Sequence, residues 1–357
     1  MRHHLRDHRY ELAVRAAREY PESAAVEGTP LLSTPLWLPP KPIPLRHIKL
    51  QYTNAEEFGG VTGAESIIQR LLPARYDGTR YRTYSDAVAA LAAPAIFENR
   101  STYRLLRANL QSSPDILFSS GHYFDGIDVG DAVAHEFTAA ILSEIETQDL
   151  RAAIGDPCDP ARRLVNVAIS TLTLRRDRTT GAVTFPLHRR DGARVGHAGG
   201  MYQVLPVGVF QPAGEEPWNT SNDFSLWRCI IRELAEELRG DAEDYDTHRG
   251  PIDYGAWPFA HQLTQALDTA QVHASCLGIG VDPLTFATDI LTVVTIDAPL
   301  YDELLDEIAD INTEGSIIPV VPFTAQTVER YASTEPIQAA GAGLLRLAWR
   351  HRSTLLA

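Results

Sequence analysis

The stretch from Asn222 to Gly240 reads NDFSLWRCIIRELAEELRG, and the spacing of its apolar residues is that of a helix with one packed face. At about 100° per residue, one arc carries the apolar side chains of Phe224, Trp227, Ile230, Ile231, Leu234 and Leu238. The neighbouring arc carries the carboxylates of Glu233, Glu236 and Glu237. Asn222 is the expected N-cap, and Gly240 is the expected end of the helix. This stretch therefore predicts an amphipathic helix that presents three acids beside its packed face.

The three acids are the first feature that indicates chemistry. Like charges three and four residues apart on a helix repel each other, so helix stability alone does not favour them. A divalent cation would turn that repulsion into binding, because Mg²⁺ and Mn²⁺ prefer oxygen ligands and can bridge carboxylates to phosphates. The alternative is a solvated helix face, since Glu and Leu are common in amphipathic helices.

Strands are predicted on both sides of this helix along the chain. The segments before it are Leu164 to Leu174, a turn at Thr179 to Gly181, Ala182 to His188, and Met201 to Phe210. The loop from Gln211 to Ser221 then leads into the helix. The segments after it are a helix at Tyr254 to Asp268, strands at Gln271 to Gly278 and Asp289 to Ile296, and helices at Pro299 to Ile311 and Ile337 to Arg352. Alternating strands and helices predict an α/β or α+β class.

The first 150 residues form a separate region in this interpretation. They contain a helix at Leu5 to Tyr20, a proline-rich connector at Thr34 to Pro44, strands at His47 to Tyr52 and Ser101 to Leu110, and a helix at Val129 to Ile145. The turn Gly155-Asp156-Pro157 marks the boundary. We expect an N-terminal helix and connector (1–46), an N-terminal α/β region (47–150) and a larger domain (151–357).

Composition and charge exclude some classes of function. The formal net charge is -14, which argues against specific binding of duplex DNA, because phosphate contacts need clustered Lys and Arg. Cys158, Cys229 and Cys276 are too few and too widely spaced for a disulfide framework. No apolar run has the length of a membrane helix. We expect a soluble cytoplasmic protein without a membrane partner.

The central motif resembles that of the Nudix hydrolase superfamily. Arg232-Glu233-Leu234-Ala235-Glu236-Glu237 matches the second half of the Nudix box, and Leu205 to Glu216 is similar to the family's leucine-proline-glycine loop. Runs such as Arg80 to Ser85, Asp223 to Arg228 and Gly280 to Thr285 resemble an actinobacterial group of Nudix-like proteins, some of which carry a helix-turn-helix. The resemblance implies a Nudix-like αβα sandwich with a mixed sheet.

The same resemblance implies roles for individual residues. Glu236 and Glu237 would bind Mg²⁺ or Mn²⁺, and Glu233 would complete the metal shell or act as base. Arg232 would orient a glutamate, and Glu314, in a later loop, is the alternative base. The substrate contacts implied by the loop are Gly208, Gln211 and Gly214.

The sequence departs from the family pattern in the loop before the helix. More residues separate Gly208 from Arg232 than the Nudix box allows, and Phe224 stands where the family has a glutamate. Glu215, Glu216 and Asp223 are the candidates to replace that carboxylate.

Two classes of function follow from these observations. The first is a divergent Nudix-type pyrophosphohydrolase that cleaves a phosphoanhydride in a nucleoside diphosphate-linked small molecule with Mg²⁺ or Mn²⁺. The second is a non-catalytic, ligand-binding or regulatory module with the same fold. An isomerase is a third reading supported only by Cys229, for which a buried thiol is the simpler interpretation. The expected partner is a nucleotide-like small molecule, and a homodimer is left open.

Overall fold

The computed structural model describes residues 2–357 except 55–57, 95–96, 146, 191–199, 242–244, 306–310 and 313–314. Its helices are α1 (Arg2–Asp7), α2 (Arg9–Ala17), α3 (Ser66–Leu71), α4 (Tyr84–Ala92), α5 (Tyr123–Ile141), α6 (Asp149–Ile154), α7 (Pro217–Asn222), α8 (Leu226–Arg239), α9 (Pro258–Asp268), α10 (Ala298–Leu305), α11 (Ala325–Ser333), α12 (Ala339–Arg350) and α13 (Arg352–Leu355). Its strands are β1 (Ile43–Pro44), β2 (Lys49–Tyr52), β3 (Ser101–Asn109), β4 (Asp115–His122), β5 (Val167–Arg176), β6 (Val183–Arg190), β7 (Tyr202–Val204), β8 (Val207–Val209), β9 (Val272–Val281), β10 (Thr288–Asp297), β11 (Ile311–Asn312) and β12 (Gly315–Pro322).

A mixed sheet with helices on both faces dominates the C-terminal region. Its strand order is β1-β9-β10-β5-β6-β12-β11, with β8 paired to β5 and β7 paired to β6. Strands β5 and β10 are parallel, whereas β9 and β8 run antiparallel to their neighbours. Because side chains alternate between the faces of a strand, Ile169 and Ile290 pack under α8, α9 and α10, while Leu172 and Leu291 pack under α11 and α12. The chain is thus an α+β protein.

The first region packs directly on this sheet rather than standing apart. It has its own small sheet with the order β2-β4-β3, in which β2 and β4 are parallel. Phe224, just before α8, contacts the rings of Tyr103 and Phe118 from that small sheet and of Phe210 from the loop after β8. The two regions therefore share one apolar core.

Several expectations for the N-terminal segments are confirmed. The predicted first helix is present as α1 and α2, and Leu12 and Ala16 pack against Phe137 of α5. The proline-rich connector runs across the end of β9, where Trp37 is buried and its carbonyl accepts the N–H of Ile279.

Within the described parts of the chain, no helix is both long and apolar enough to cross a membrane.

Other element boundaries were wrong, for local reasons. The predicted third strand is broken at Leu205 and Pro206 into β7 and β8. Helix α5 begins at Tyr123 rather than Val129, so the polar run before Val129 is its first turns and not a loop. The loop before α8 contains the short helix α7, which starts with a proline at its first position. Strand β4 and helix α11 were not predicted.

Candidate functional site

Helix α8 is the amphipathic element that the sequence predicts, with one correction at its start. The N-cap is Ser225, whose hydroxyl accepts the N–H of Arg228, and not Asn222, which ends α7. Gly240 ends the helix in the left-handed conformation, with φ 74°. The buried face carries Ile230, Ile231, Leu234 and Leu238. The helix is thereby fixed on the sheet through β8 and β5.

Two of the predicted acids lie against strand β8. The carboxylate of Glu237 accepts the backbone N–H of Val207 at 3.1 Å. A methyl group on Gly208 would lie 1.9 Å from the carboxyl carbon of Glu233, so only glycine leaves room for that carboxylate. Glu233, Glu236 and Glu237 are all partly buried. The helix therefore holds its acids at the edge of β8, with Gly208 as the residue that admits Glu233.

Arg232 anchors the loop that connects β8 to the helix. Its guanidinium donates to the carbonyl of Gln211 at 2.7 Å and to the hydroxyl of Tyr254 at 2.6 Å. It also lies 3.5 Å from the buried carboxylate of Asp223. Burial opposes the charge, but the neighbouring Cys229, Tyr254 and Asp223 outweigh it and raise the pKa of Arg232. These contacts make Arg232 a positioning residue for the loop.

The residues suggested as replacements for the missing box glutamate have structural partners. Asp223 is fully buried and accepts the N–H of Ala213 at 2.8 Å and the hydroxyl of Tyr254 at 2.8 Å. Glu215 accepts both the N–H and the hydroxyl of Ser101, which ties the loop to β3. Glu216 is the residue before α7 and accepts the amide of Asn219. All three stabilise the long loop.

Gln211 and Gly214, the other two substrate contacts that the resemblance implies, have structural roles in the loop. Gln211 meets Arg232 through its backbone carbonyl. A methyl group on Gly214 would lie 2.2 Å from the hydroxyl oxygen of Thr247, so this glycine allows close packing of the loop against the segment after α8. Glu314 lies outside the described residues.

The acids of α8 supply the kind of oxygen donors that Mg²⁺ and Mn²⁺ prefer. The space that a side chain at residue 208 would fill is occupied by the carboxylate of Glu233, so the glycine is needed for the acid to sit there. Among the described residues, no three Asp, Glu, His or Cys side chains converge closely enough to hold a metal by themselves. Mg²⁺ commonly takes further oxygen ligands from phosphate or from water.

A cleft of about 380 Å³ is lined by β8, including Gly208. Its walls are the first turns of α5, the start of β5, strand β8, the turn between β9 and β10, and the start of α12. Methyl groups on Gly126 and Gly130 would lie 3.1 Å from the amide nitrogen of Asn166 and 2.8 Å from the carbonyl of Thr285, so these glycines let α5 approach the sheet closely. Clefts between packed regions are common ligand sites.

Three polar side chains give this cleft its chemical character. Asp289 is buried, accepts the hydroxyl of Ser170 at 2.7 Å, and has a pKa raised to about 6, mainly by burial. Gln203 is 3% exposed, and its amide oxygen accepts no hydrogen bond from any residue that the structure describes. The amide nitrogen of Gln338, before α12, also lacks a partner. Buried polar atoms without partners are uncommon and often mark ligand contacts.

The sequence contained few signals for this cleft. Gln203 and Asp289 lie in or beside strands that read as apolar core, and their approach depends on tertiary packing. One signal is the run from Gly121 to Asp131, which is rich in Gly and Asp and so has the polarity of a ligand-binding segment. That segment is helical, but Tyr123, Gly126 and Gly130 do line the cleft.

Cys229 provides no support for the isomerase reading. It is fully buried, and burial raises its pKa to about 12. Its thiol points to the carbonyl of Val209 at 3.6 Å. A thiol in this state is a packing group, because a reactive cysteine needs an accessible thiolate.

No protein family model matches the chain, and the search of curated proteins finds no match either.

Proposed function

We propose that this protein is a divalent-metal-dependent hydrolase of the Nudix type, which cleaves a phosphoanhydride in a nucleoside diphosphate-linked small molecule. The acids of α8 would hold Mg²⁺ or Mn²⁺ together with the substrate's phosphate oxygens. When bound, the metal supplies charge neutralisation and an activated water. Glu237 and Glu236 are the proposed metal ligands, and Glu233 is the proposed third ligand or base.

One observation carries this proposal, namely the position of Glu233 in the gap left by Gly208. A solvated helix face would not require a glycine opposite one of its acids. Here the glycine brings the backbone of β8 against the carboxylate, and the neighbouring N–H of Val207 holds Glu237. Glycine is the residue that lets backbone approach a ligand closely, so we expect phosphate and metal to bind beside Gly208.

The test is a screen of nucleoside diphosphate-linked compounds with Mg²⁺ and with Mn²⁺, followed by phosphate release and mass spectrometry. We expect one compound class to give two phosphate-containing products, or a monophosphate and phosphate, only when metal is present. The matched control is the same screen with EDTA. Product formation that is unchanged by EDTA would contradict the proposed metal chemistry.

A second candidate function is a binding module without turnover, in which the cleft beside β8 takes a ligand. The observation that favours it is the pair of buried, unpartnered amide atoms on Gln203 and Gln338. This alternative expects a nucleotide-like compound to raise the melting temperature without product formation. Thermal melting in the same compound library distinguishes it from the hydrolase, because binding raises stability by mass action whether or not chemistry follows.

A further inference from the structure

The cleft contains a buried positive charge that the hydrolase proposal does not use. Arg163 lies between Pro157 and β5, lines the cleft and is only 4% exposed. Its guanidinium donates to the carbonyl of Pro157 at 3.0 Å and to the hydroxyl of Thr288 at 3.0 Å. Both acceptors are neutral. Hydrogen bonds to neutral groups satisfy donors but do not compensate a charge.

Within the described residues, no acid forms an ion pair with Arg163, and the attraction of Asp156 is smaller than the effect of burial. No carboxylate oxygen there lies within 4.0 Å of the Arg163 guanidinium. Burial lowers its pKa to about 10, which leaves the group charged at neutral pH. Asp289, which lines the same cleft, accepts the hydroxyl of Ser170. A buried arginine without a counter-charge costs stability unless something else supplies the negative charge.

A nearby buried arginine provides a comparison. Arg151 contacts the ring of Phe286 at 4.7 Å, and Arg163 contacts the same ring at 5.5 Å. Arg151 lies 3.5 Å from the carboxylate of Glu19, so its charge is compensated within the chain. Both arginines therefore contact the ring of Phe286, but only Arg151 has an ion-pair partner among the described residues. Arg163, which has none there, lines the cleft.

Gln203 and Gln338, which also line the cleft, have the polarity to contact the rest of a small molecule. Gln338 is the N-cap of α12 and makes no side-chain cap hydrogen bond. The start of a helix carries a partial positive charge. Gln203, beside it, has an unpartnered amide oxygen that would accept a hydrogen bond from a ligand N–H or O–H.

We propose that the cleft between α5 and the mixed sheet binds a small organic oxyanion, a phosphate or a carboxylate, through the guanidinium of Arg163, with Gln203 accepting a hydrogen bond from the same molecule. Guanidinium groups suit both anions, because their planar donors match two oxygens at once. Binding at this site does not depend on hydrolysis.

The experiment measures the melting temperature and calorimetric binding of the full chain in EDTA, with inorganic phosphate and with succinate as probes, and with chloride at matched ionic strength as control. We expect saturable stabilisation by at least one of the two oxyanions and none by chloride. A phosphate response without a succinate response assigns the site to phosphates, and the reverse assigns it to carboxylates. Equal effects of phosphate, succinate and chloride would overturn the proposal.

Variants locate the binding to Arg163. Arg163→Gln should weaken binding at least tenfold, whereas Arg162→Gln, which removes the same charge from an exposed neighbour, should change the dissociation constant less than twofold. Since Arg163→Gln can also destabilise the fold, Ala168→Leu provides a second test, because it narrows the cleft without changing charge. If Ala168→Leu binds phosphate or succinate as tightly as the parent does, the oxyanion does not bind in this cleft. Because binding is measured in EDTA, where the proposed hydrolysis stops, the experiment separates this inference from the hydrolase proposal.

Discussion

Gly208→Ala is the substitution that tests the placement of Glu233 most sharply. The new methyl group would lie 1.9 Å from the Glu233 carboxyl carbon, whereas ordinary contacts begin near 3.4 Å. The carboxylate must therefore move by about 1.5 Å, the difference between these two distances. A displacement of about 1 Å can lower turnover about 100-fold, so we expect at least that loss in hydrolysis.

The fold should tolerate this change, because the displaced group is the end of a flexible side chain. We expect the free energy of unfolding to fall by about 1–2 kcal/mol, within the usual range for overpacking. The assays are Mn²⁺ binding by calorimetry, product formation, and thermal melting. The matched control is Gly250→Ala, since a methyl group there would meet no atom within 4 Å.

A double-mutant cycle assigns the effect to the contact between the two residues. Glu233→Ala removes the side chain that the new methyl group would meet, so Gly208→Ala should cost little stability in that background. If Gly208→Ala keeps parental Mn²⁺ affinity and turnover, or costs the same stability in both backgrounds, the position assigned to Glu233 is wrong.

Three further predictions concern stability and partners. The pKa of Asp289 is about 6 in the folded state, against 3.8 for a free aspartate, so the folded state holds this proton more tightly than the unfolded state does. The stability that the protonated group contributes is full below pH 4 and is lost as the pH rises to 6, by about 3 kcal/mol. Asp289→Asn should therefore melt higher than the parent at pH 8 and similarly at pH 4, and a constant difference across pH in calorimetry would contradict this. Trp227 is only partly buried, and its indole N–H donates to the hydroxyl of Thr264 at 3.1 Å. Trp227→Ala should therefore lower the free energy of unfolding by about 1–2 kcal/mol, less than the 2–5 kcal/mol expected for the fully buried Leu234→Ala. Denaturant titration measures both, and a larger cost for Trp227→Ala would refute the ranking. The isolated chain should give no sequence-dependent gel shift with duplex DNA, and a salt-resistant shift would overturn that expectation.

The helix of the candidate site was predictable because its signals are local. The apolar arc, the acids at 233, 236 and 237, and the glycine after Arg239 lie within one short stretch, and α8 has the predicted face and end. The N-cap was misplaced because Asn222 and Ser225 are both good capping residues, and only the packing of Phe224 in the aromatic cluster decides between them. Trp227, which was expected on the packed face, is only partly buried at the edge of the core. Leu226, which the predicted arc did not include, is buried instead.

The cleft could not be predicted because its residues come from distant segments. Arg163, Gln203 and Asp289 are brought together only when β5, β7 and β10 enter one sheet, and each looks unremarkable in its own stretch of sequence. The contact between Gly208 and Glu233 is similar, because 25 residues separate them and the long loop hides their spacing. Local patterns report helix faces and strand periods, whereas sites depend on tertiary contacts.

The most direct test of the metal site compares the parent with Glu237→Gln for product formation and melting temperature in Mg²⁺ and Mn²⁺. Glutamine can still accept the N–H of Val207 but carries no charge, so the fold should persist. We predict that Glu237→Gln melts within a few degrees of the parent without metal, loses stabilisation by Mn²⁺, and turns over orders of magnitude more slowly. Hydrolysis by Glu237→Gln at the parental rate would contradict the assignment of the α8 acids to a catalytic metal.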